Sequence, residues 1–273
     1  MTRQRLTRYL LRSVALVYLL LLLVVPVGLI GWRTFSGGLG TFVDAISNPS
    51  AVHAIRVTVV VALWAVLLNT VFGVLTALLL VRGQFPGPSW LNLKRLFNAL
   101  IDLPMAVSPV VVGLALILVY GRFTPVGGWF DRIGVPIIFA TPGMVLATVF
   151  VSLPLVVRAV APVLEELGDE QEQAAHTLGA SPWQTFWRIT VPGIRWALSY
   201  GVVLCLARAL GEYGAVAVVS GRLVDQTQTL TLFVEERYQN FDEPAAYAAA
   251  TVLALIAIAA LLLTKLLRPK GST

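Results

Sequence analysis

The sequence has 273 residues, of which 58% are hydrophobic and only 12% are charged, and its formal net charge is +6. A soluble domain carries about twice that share of charged residues, so the composition excludes a cytosolic enzyme, a secreted disulfide scaffold and a disordered tail. The single cysteine, Cys205, also excludes a disulfide framework and a thiolate metal cluster. We expect an integral membrane protein. Its positive net charge does not indicate a nucleic-acid partner, because the cytoplasmic loops of membrane proteins are rich in lysine and arginine.

Six apolar segments are long enough to cross a bilayer, which takes about 20 residues of helix. In chain order they are residues 13–32, 56–81, 96–120, 137–157, 193–219 and 245–267. The first follows four arginines, but it is too long for the apolar region of a signal peptide and no cleavage motif follows it. The sequence therefore predicts an all-α integral membrane protein with six transmembrane helices, the first of which is retained.

Basic residues are distributed unequally between alternate loops. With a cytoplasmic N-terminus, 13 lysines and arginines lie on the inside and 6 on the outside, and Arg208, within a span, completes the 20. This bias predicts that both termini are cytoplasmic. Trp32, Trp90 and Trp129 lie near the predicted interfaces and are expected to anchor there.

Prolines and polar residues interrupt several spans. Pro104, Pro109, Pro142 and Pro154 lie in or beside the third and fourth spans, where prolines either kink transmembrane helices or mark helix ends. Both interpretations remain open from the sequence. Other polar residues are expected to make hydrogen bonds between helices, namely Asn69, Thr70, Thr76, Ser108 and Ser152. Asp102 is interpreted as a helix cap, with a conformational latch as the alternative.

Between spans four and five, residues 158–195 form an extended polar stretch on the predicted cytoplasmic side. A first helix rich in carboxylates is predicted to stop at Gly179, and Ser181 with Gln184 predicts a capping box that begins a second helix. Pro192 is predicted to end that second helix, whose length of about 15 Å is too short to span. We expect it to lie along the membrane face as a docking element; an ordinary amphipathic surface helix is the alternative.

The residues of this stretch resemble the EAA loop of ABC-importer permeases. The family pattern is Glu-Ala-Ala, three residues, Gly, nine residues, Ile, one residue and Leu-Pro, and it aligns here with Gln173, Ala174, Ala175, Gly179, Ile189 and Pro192. Gln173 replaces the family's glutamate and Val191 replaces its leucine, while Glu172 lies one residue earlier. The resemblance implies that the aligned residues, together with Glu172, couple the chain to an ATPase subunit.

The resemblance extends over essentially the whole chain. Residues 102–111 (DLPMAVSPVV) and 208–216 (RALGEYGAV) look like the sulfate and molybdate branch of these permeases. Residues 219–221, 226–227 and 229–230 are similar to its W-type sulfate permease subunits. This implies a type I ABC-importer permease with a cytoplasmic coupling helix between spans four and five. It also implies two regions, which are an N-terminal span with an external loop in residues 1–53 and a permease core in residues 54–268.

The resemblance further implies the function and the partners of the chain. It would form half of the pathway of an ATP-driven importer of sulfate, with thiosulfate as an accepted analogue, in a bacterial inner membrane. The implied partners are a homologous T-type permease subunit, two ATPase subunits, an external sulfate-binding protein and the surrounding lipid. Molybdate or tungstate is the alternative substrate, because those permeases share the pattern of residues 208–214.

No phosphate-binding loop of the form G-x-x-x-x-G-K-[ST] occurs in the sequence. The chain is therefore not expected to hydrolyse ATP by that route. We predict no catalytic or metal-binding residue and no cofactor in this chain, and the resemblance implies that ATP and Mg²⁺ are bound by the partner ATPase subunits. An ion-coupled secondary anion transporter is the rival interpretation. It would predict an internal repeat of spans and buried ion-coupling groups, and the sequence shows no convincing repeat.

Two charged residues, Arg208 and Glu212, lie inside the fifth predicted span. A spacing of four residues would place them on one face of a helix, where they can form an ion pair. A charge at the bilayer centre costs about 2.5–3.5 kcal/mol on insertion scales, so both side chains must face a partner or a cavity. Two interpretations remain open, a structural ion pair that fixes helix register and a pair that lines or gates the anion pathway.

Overall fold

The computed structural model describes residues 3–83 and 93–267. Within these ranges the chain forms helices joined by short loops, and it forms no β-strand. The α-helices are α1 (Arg3–Leu19), α2 (Val25–Phe35), α3 (Leu39–Ser47), α4 (Pro49–Arg82), α5 (Leu93–Ala106), α6 (Pro109–Tyr120), α7 (Pro125–Arg132), α8 (Thr141–Leu167), α9 (Glu170–Thr177), α10 (Pro182–Thr185), α11 (Val191–Leu210), α12 (Gly214–Val219), α13 (Leu230–Gln239) and α14 (Glu243–Leu267). Two π-helical turns, Leu20–Val24 and Phe186–Thr190, continue α1 into α2 and α10 into α11.

The predicted membrane architecture is confirmed, with one span in an unexpected form. Five helical stretches of the described chain are long and apolar enough to cross a bilayer, and they are Tyr9–Phe35, Pro49–Arg82, Thr141–Leu167, Pro182–Leu210 and Glu243–Ala260. The predicted third span is a pair, α5 and α6, bent by 110°. Counted together as one broken span, this pair brings the total to six.

The bend between α5 and α6 follows from one proline. Ser108 has an extended backbone with ψ of 134°, and Pro109 starts α6. A proline disfavours helical geometry in the residue before it, so the helix stops at Ala106 and restarts in a new direction. Pro104 and Pro154 lie inside α5 and α8 without ending them, and Pro142 lies in the first turn of α8. Pro109 and Pro142 therefore mark helix starts, whereas Pro104 and Pro154 lie within continuous helices.

The centre of the molecule is formed by α4, α8 and α11, which pack against one another. Small residues bring these helices close: a Cβ atom added at Gly73 of α4 would lie 2.8 Å from the Cβ of Val156 in α8. The buried Asn69 amide donates hydrogen bonds to Ser152 Oγ at 2.9 Å and to Cys205 Sγ at 3.4 Å, so it joins all three helices. The predicted hydrogen bonding between helices is confirmed at Asn69 and Ser152.

The first span lies at the periphery of the described chain. Thr34 is the one buried side chain of α2, and its Oγ1 lies 2.7 Å from Thr251 Oγ1 of α14. The predicted interface residues Trp32 and Trp129 are exposed, whereas Trp90 lies outside the described residues. The division of the chain into residues 1–53 and 54–268 stays a prediction.

The predicted fifth span, residues 193–219, is wrong at both ends. Its helix begins earlier, at Pro182, and α11 ends at Leu210. Gly211, Glu212 and Tyr213 are not helical, and the short α12 follows them. Hydropathy could not locate this break because apolar residues lie on both sides of it.

Candidate coupling segment and transport pathway

The polar stretch between spans four and five is shorter than predicted. The long helix α8 continues through Arg158 to Leu167, so the first ten residues of the predicted stretch belong to a span. Gly168, with φ of +64°, ends that helix. We call residues 168–192, which start there, the coupling segment. It contains α9, which carries Glu170 and Glu172 in its first turn, where carboxylates stabilise the positive end of a helix dipole.

The predicted stop at Gly179 is confirmed. Gly179 has φ of +85°, which favours glycine. The Ala180 N–H donates to the carbonyl of Ala175 at 3.0 Å, and the Gly179 N–H donates to the carbonyl of His176 at 3.0 Å. These two bonds form the Schellman arrangement that closes a helix. Gly179 thus sets the direction in which the chain leaves α9.

The predicted capping box at Ser181 is also confirmed. The Gln184 N–H donates to Ser181 Oγ at 3.3 Å, and the Ser181 N–H donates to Gln184 Oε1 at 2.9 Å. Pro182 occupies the first helical position, where its missing N–H costs nothing. A helix therefore begins immediately after the turn at Gly179.

The predicted helix end at Pro192 is wrong. The helix that starts at Pro182 continues for 29 residues to Leu210. The π turn Phe186–Thr190 ends two residues before the proline, and the N–H of the intervening Val191 donates to the carbonyl of Phe186, five residues back. Such a widened turn provides room for the proline ring, and it lets the helix continue although proline has no N–H to donate. The predicted docking element is therefore the first part of a helix long and apolar enough to span the membrane, and not a separate surface helix.

Large apolar side chains are exposed on this segment, and we call Leu178, Trp183 and Trp187 the aromatic patch. Their exposed fractions are 88%, 69% and 51%. Trp183 and Trp187 contact each other edge to face, with ring centroids 5.5 Å apart. Contiguous exposed apolar surface rimmed by polar residues is typical of a protein contact site.

The structure places the predicted coupling residues within this segment. Gln173, Ala174, Gly179 and Pro192 are exposed, and Glu172, Ala175 and Ile189 are half-buried. The Glu172 carboxylate faces inward: its Oε2 lies 3.2 Å from Arg82 Nε and its Oε1 accepts a hydrogen bond from Thr190 Oγ1 at 2.8 Å. Sequence reasoning did not identify Arg82, which is 90 residues away along the chain.

Arg208 and Glu212 do form an ion pair, but the pair bridges a helix break. Arg208 Nη2 lies 2.9 Å from Glu212 Oε2, as an ion contact without hydrogen-bond alignment. Glu212 lies beyond the end of α11, and its Oε1 accepts a hydrogen bond from the Ala215 N–H at 3.1 Å in the first turn of α12. The Glu212 side chain is 1% exposed and the Arg208 side chain is 40% exposed. The two members therefore have different environments.

The break between α5 and α6 and the break between α11 and α12 lie next to each other. A Cβ atom added at Gly214, where α12 starts, would lie 3.0 Å from the Cβ of Pro109, where α6 starts. One added at Gly113 would lie 2.7 Å from the Cβ of Val218, so α6 and α12 are in close contact. Discontinuous helices inside a membrane are typical of transport sites. Arg208 lies in the last turn of α11, three residues before Gly211, where the break between α11 and α12 begins.

Asp102 is not a helix cap, and that interpretation is wrong. It lies inside α5 and accepts a hydrogen bond from Arg158 Nε of α8 at 2.9 Å, with a second contact from the same guanidinium. Arg158 Nη2 also donates to Asn98 Oδ1 at 2.8 Å. Asp102 thus links α5 to α8, as the alternative interpretation of a latch requires.

The stretch of residues 219–230, which carries the similarity to W-type subunits, is buried at both ends, whereas residues 221–226 are exposed. Its buried polar side chains are Ser220, Thr227, Gln228 and Thr229. The Leu230 N–H donates to Thr58 Oγ1 of α4 at 2.7 Å, and Thr231 Oγ1 donates to the carbonyl of Glu212 at 3.0 Å. Thr231, the residue after this stretch, thus holds the backbone of the break after α11.

Comparison with known proteins decides the family. The model of the binding-protein-dependent transport system inner membrane component matches residues 91–271. The chain belongs to this family. It is a multi-pass membrane protein and a permease subunit, which is a different component from the ATPase of such a system. The predicted all-α permease fold is confirmed.

Several relatives match over most of their length. The chain is 49% identical over 263 residues to the sulfate transport system permease protein CysW of Synechocystis sp., covering 96% of this chain and 93% of the relative. It is 46% identical over 247 residues to CysW of Escherichia coli K12, covering 90% and 83%. It is 38% identical over 258 residues to the permease protein CysT of Synechocystis sp., covering 94% and 88%.

Solved structures show the same fold at low sequence identity. A bacterial ABC transporter involved in the import of the acidic polysaccharide alginate superposes with a TM-score of 0.74 at 16% identity, covering 97% of this chain and 94% of that chain. The MetNI methionine ABC transporter in an inward-facing conformation gives 0.55 at 17% identity, covering 80% and 96%. The roles of the coupling residues and of Arg208 and Glu212 stay predictions.

Proposed function

We propose that this chain is one of two permease subunits of an ATP-driven sulfate importer, with thiosulfate as an accepted analogue. The near full-length identity of 46–49% to relatives named as sulfate transport permeases of the CysW type carries the proposal. Molybdate and tungstate are the alternative substrates. The similarity at residues 219–221 and 226–227 favours sulfate over them, because this stretch resembles W-type subunits in particular.

The second permease subunit in this proposal is a homologous T-type protein. Relatives of that type are 38% identical to this chain over most of their length. A single subunit offers few polar groups for a hydrated dianion, and the 40% exposed Arg208 side chain leaves one cation open to a neighbour. A pathway between two subunits would place polar groups of both around the anion.

Two ATPase subunits, which bind ATP and Mg²⁺, dock on the coupling segments of the two permeases in this proposal. The exposed aromatic patch supplies an apolar contact surface, and Gly179 and Ser181 fix its position through their hydrogen bonds. An external sulfate-binding protein delivers the anion. Both termini lie in the cytoplasm of a bacterium, because the excess of basic residues lies on that side.

Arg208 and Glu212 have separate roles in this proposal. Glu212 is buried, caps α12 and restrains Arg208, which are structural tasks. Arg208 is partly exposed in the last turn before the break after α11, so its guanidinium can offset the charge of a passing anion. The pair therefore combines the structural and the pathway interpretations.

Uptake of radiolabelled sulfate by cells deleted for this gene tests the substrate, in a strain with no second sulfate importer. We expect uptake to be lost, to return with a plasmid copy of the gene, and to persist in an excess of molybdate. Unchanged sulfate uptake in the deletion strain would overturn the assignment. Loss of molybdenum-enzyme activity with intact sulfate uptake would instead favour the molybdate alternative.

A further inference from the structure

We infer that Arg82, which lies outside the loop motif, is a positioning residue that makes α4 and the coupling segment move as one unit. The inference rests on the proposed docking of an ATPase. It assigns to Arg82 the transmission of that docking to the membrane helices. The contacts that carry it join Arg82, Gly168, Glu172 and Thr190, and we call this group the Arg82 node.

One guanidinium ties three helices together at this node. Arg82 is the last residue of α4. Its Nε donates to Glu172 Oε2 of α9 at 3.2 Å, and its Nη2 donates to the carbonyl of Gly168, which follows α8. The end of α4 is therefore held both to the end of α8 and to the start of the coupling segment.

The carboxylate of Glu172 extends the node to a fourth element. Its second oxygen accepts a hydrogen bond from Thr190 Oγ1 at 2.8 Å, and Thr190 is a buried residue of the π turn that leads into α11. The side chains of Arg82 and Glu172 are only 23% and 20% exposed. A charge pair this sheltered is screened less by salt than a surface pair.

The node matters because α9 has little else to hold it in place. None of its residues is buried, so α9 contributes no side chain to the apolar core. It is joined to its neighbours through Gly168 and Gly179, both of which have positive φ. Without the ion pair, α9 would be connected to the rest of the described chain mainly through the two glycine turns and through its contacts with α10 and the π turn Phe186–Thr190.

The departure from the family motif has a structural explanation in this node. Successive residues of an α-helix point about 100° apart, so Glu172 and Gln173 face different directions. Gln173, at the family's glutamate position, is exposed, whereas the acid one residue earlier is turned inward to Arg82. The inward carboxylate of Glu172 pairs with Arg82 and so links α9 to α4. Since α4 packs along α8 and α11, that link reaches the helices at the centre of the molecule.

Charge reversal tests the inference. The variants are measured in the complete importer, which contains both permeases, the ATPase and the binding protein in proteoliposomes. We expect Arg82→Glu and Glu172→Arg each to lower the sulfate transported per ATP hydrolysed by about fivefold or more. The combined swap Arg82→Glu with Glu172→Arg restores an ion pair and should return this ratio most of the way to wild type. ATPase retention during purification is measured for every variant.

A matched control moves the acid without changing the net charge. Glu172→Gln combined with Gln173→Glu recreates the family motif with an outward carboxylate, and we expect it to be as poorly coupled as Glu172→Gln alone. Wild-type coupling in this shifted variant, or in both single reversals, would overturn the inference. If the single reversals fail to assemble, a combined swap that fails equally would overturn it as well.

These results are distinguishable from a failure of the proposed function. If the wild-type complex does not bind an ATPase or transports no sulfate, the proposed function is wrong. If the wild-type complex transports sulfate normally while the swap variants show no rescue, only the role of Arg82 is wrong.

Discussion

The two members of the Arg208–Glu212 ion pair differ in burial. Glu212 is almost fully buried and depends on Arg208 and on the Ala215 N–H for compensation. Arg208 is much more exposed and can reorient toward solvent or a neighbouring subunit. Removing one partner of a buried pair is costly chiefly because of the charge that remains. The cost of mutation should therefore depend on which member is removed.

We predict that Arg208→Leu destabilises the permease by about 3–5 kcal/mol, because it leaves the buried Glu212 carboxylate without a counter-charge. Glu212→Gln should cost less, since a glutamine oxygen can still accept from the Ala215 N–H. The double variant Arg208→Leu with Glu212→Gln should regain most of the lost stability. Thermal unfolding of the purified complex in detergent measures all three.

Transport by that double variant separates the two roles. We expect it to fold and to transport no sulfate, because the cation beside the break after α11 is gone. Full transport would contradict a pathway role for Arg208 and leave the pair as a purely structural contact.

At the scale of elements, the direction of the docking helix depends on one turn. Gly179 has no neighbouring atom within 4 Å of an added Cβ, so a side chain there meets no steric obstacle from other residues. Its φ of +85° is nevertheless a conformation that residues other than glycine avoid, at a cost of about 1–2 kcal/mol. The effect of a substitution is therefore conformational, and residues of similar size but different backbone preference can be compared.

We predict that Gly179→Val displaces the aromatic patch and reduces ATPase association several-fold while the spans still insert. Gly179→Asn is the matched control, because asparagine accepts the left-handed conformation more readily. Co-purification of the ATPase with each variant, at equal membrane levels of the permease, is the measurement. Equal ATPase binding by the valine and asparagine variants would refute the docking assignment.

Local signals in the sequence predicted some elements well and others poorly. Gly179 and Ser181 were predicted correctly because their hydrogen bonds close within six residues. Pro192 was misread because a preceding π turn absorbs a proline, and nothing in the local pattern marks such a turn. The bend at Pro109 is ambiguous for a related reason, since Pro104 in the same apolar run leaves its helix intact.

Contacts between residues that are far apart along the chain could not be predicted from the sequence. The spacing of Arg208 and Glu212 was enough to predict their pairing, but not the helix break between them. Glu172 was recognised as a displaced acid, yet its partner Arg82 lies 90 residues away. With a single sequence, no spacing rule connects two such positions. Asp102 was misassigned as a cap for the same reason, because Arg158 is 56 residues away.

At the scale of the whole molecule, the helices α4, α8 and α11 form a packed centre that adjoins both candidate sites. The coupling segment continues directly into α11, and α11 ends at Leu210, two residues after Arg208. A single helix thus runs from the docking surface to the helix break. In the proposed function, this continuity gives a physical route by which ATPase docking can reach the proposed anion pathway.

The source of energy for transport tests the central claim most directly. The complete importer, with its binding protein, is reconstituted in vesicles, and accumulation of radiolabelled sulfate is measured with and without ATP and in the presence of proton and sodium ionophores. We predict that accumulation requires ATP hydrolysis and is unaffected by the ionophores. Accumulation driven by an ion gradient in the absence of ATP would contradict the account and favour a secondary transporter.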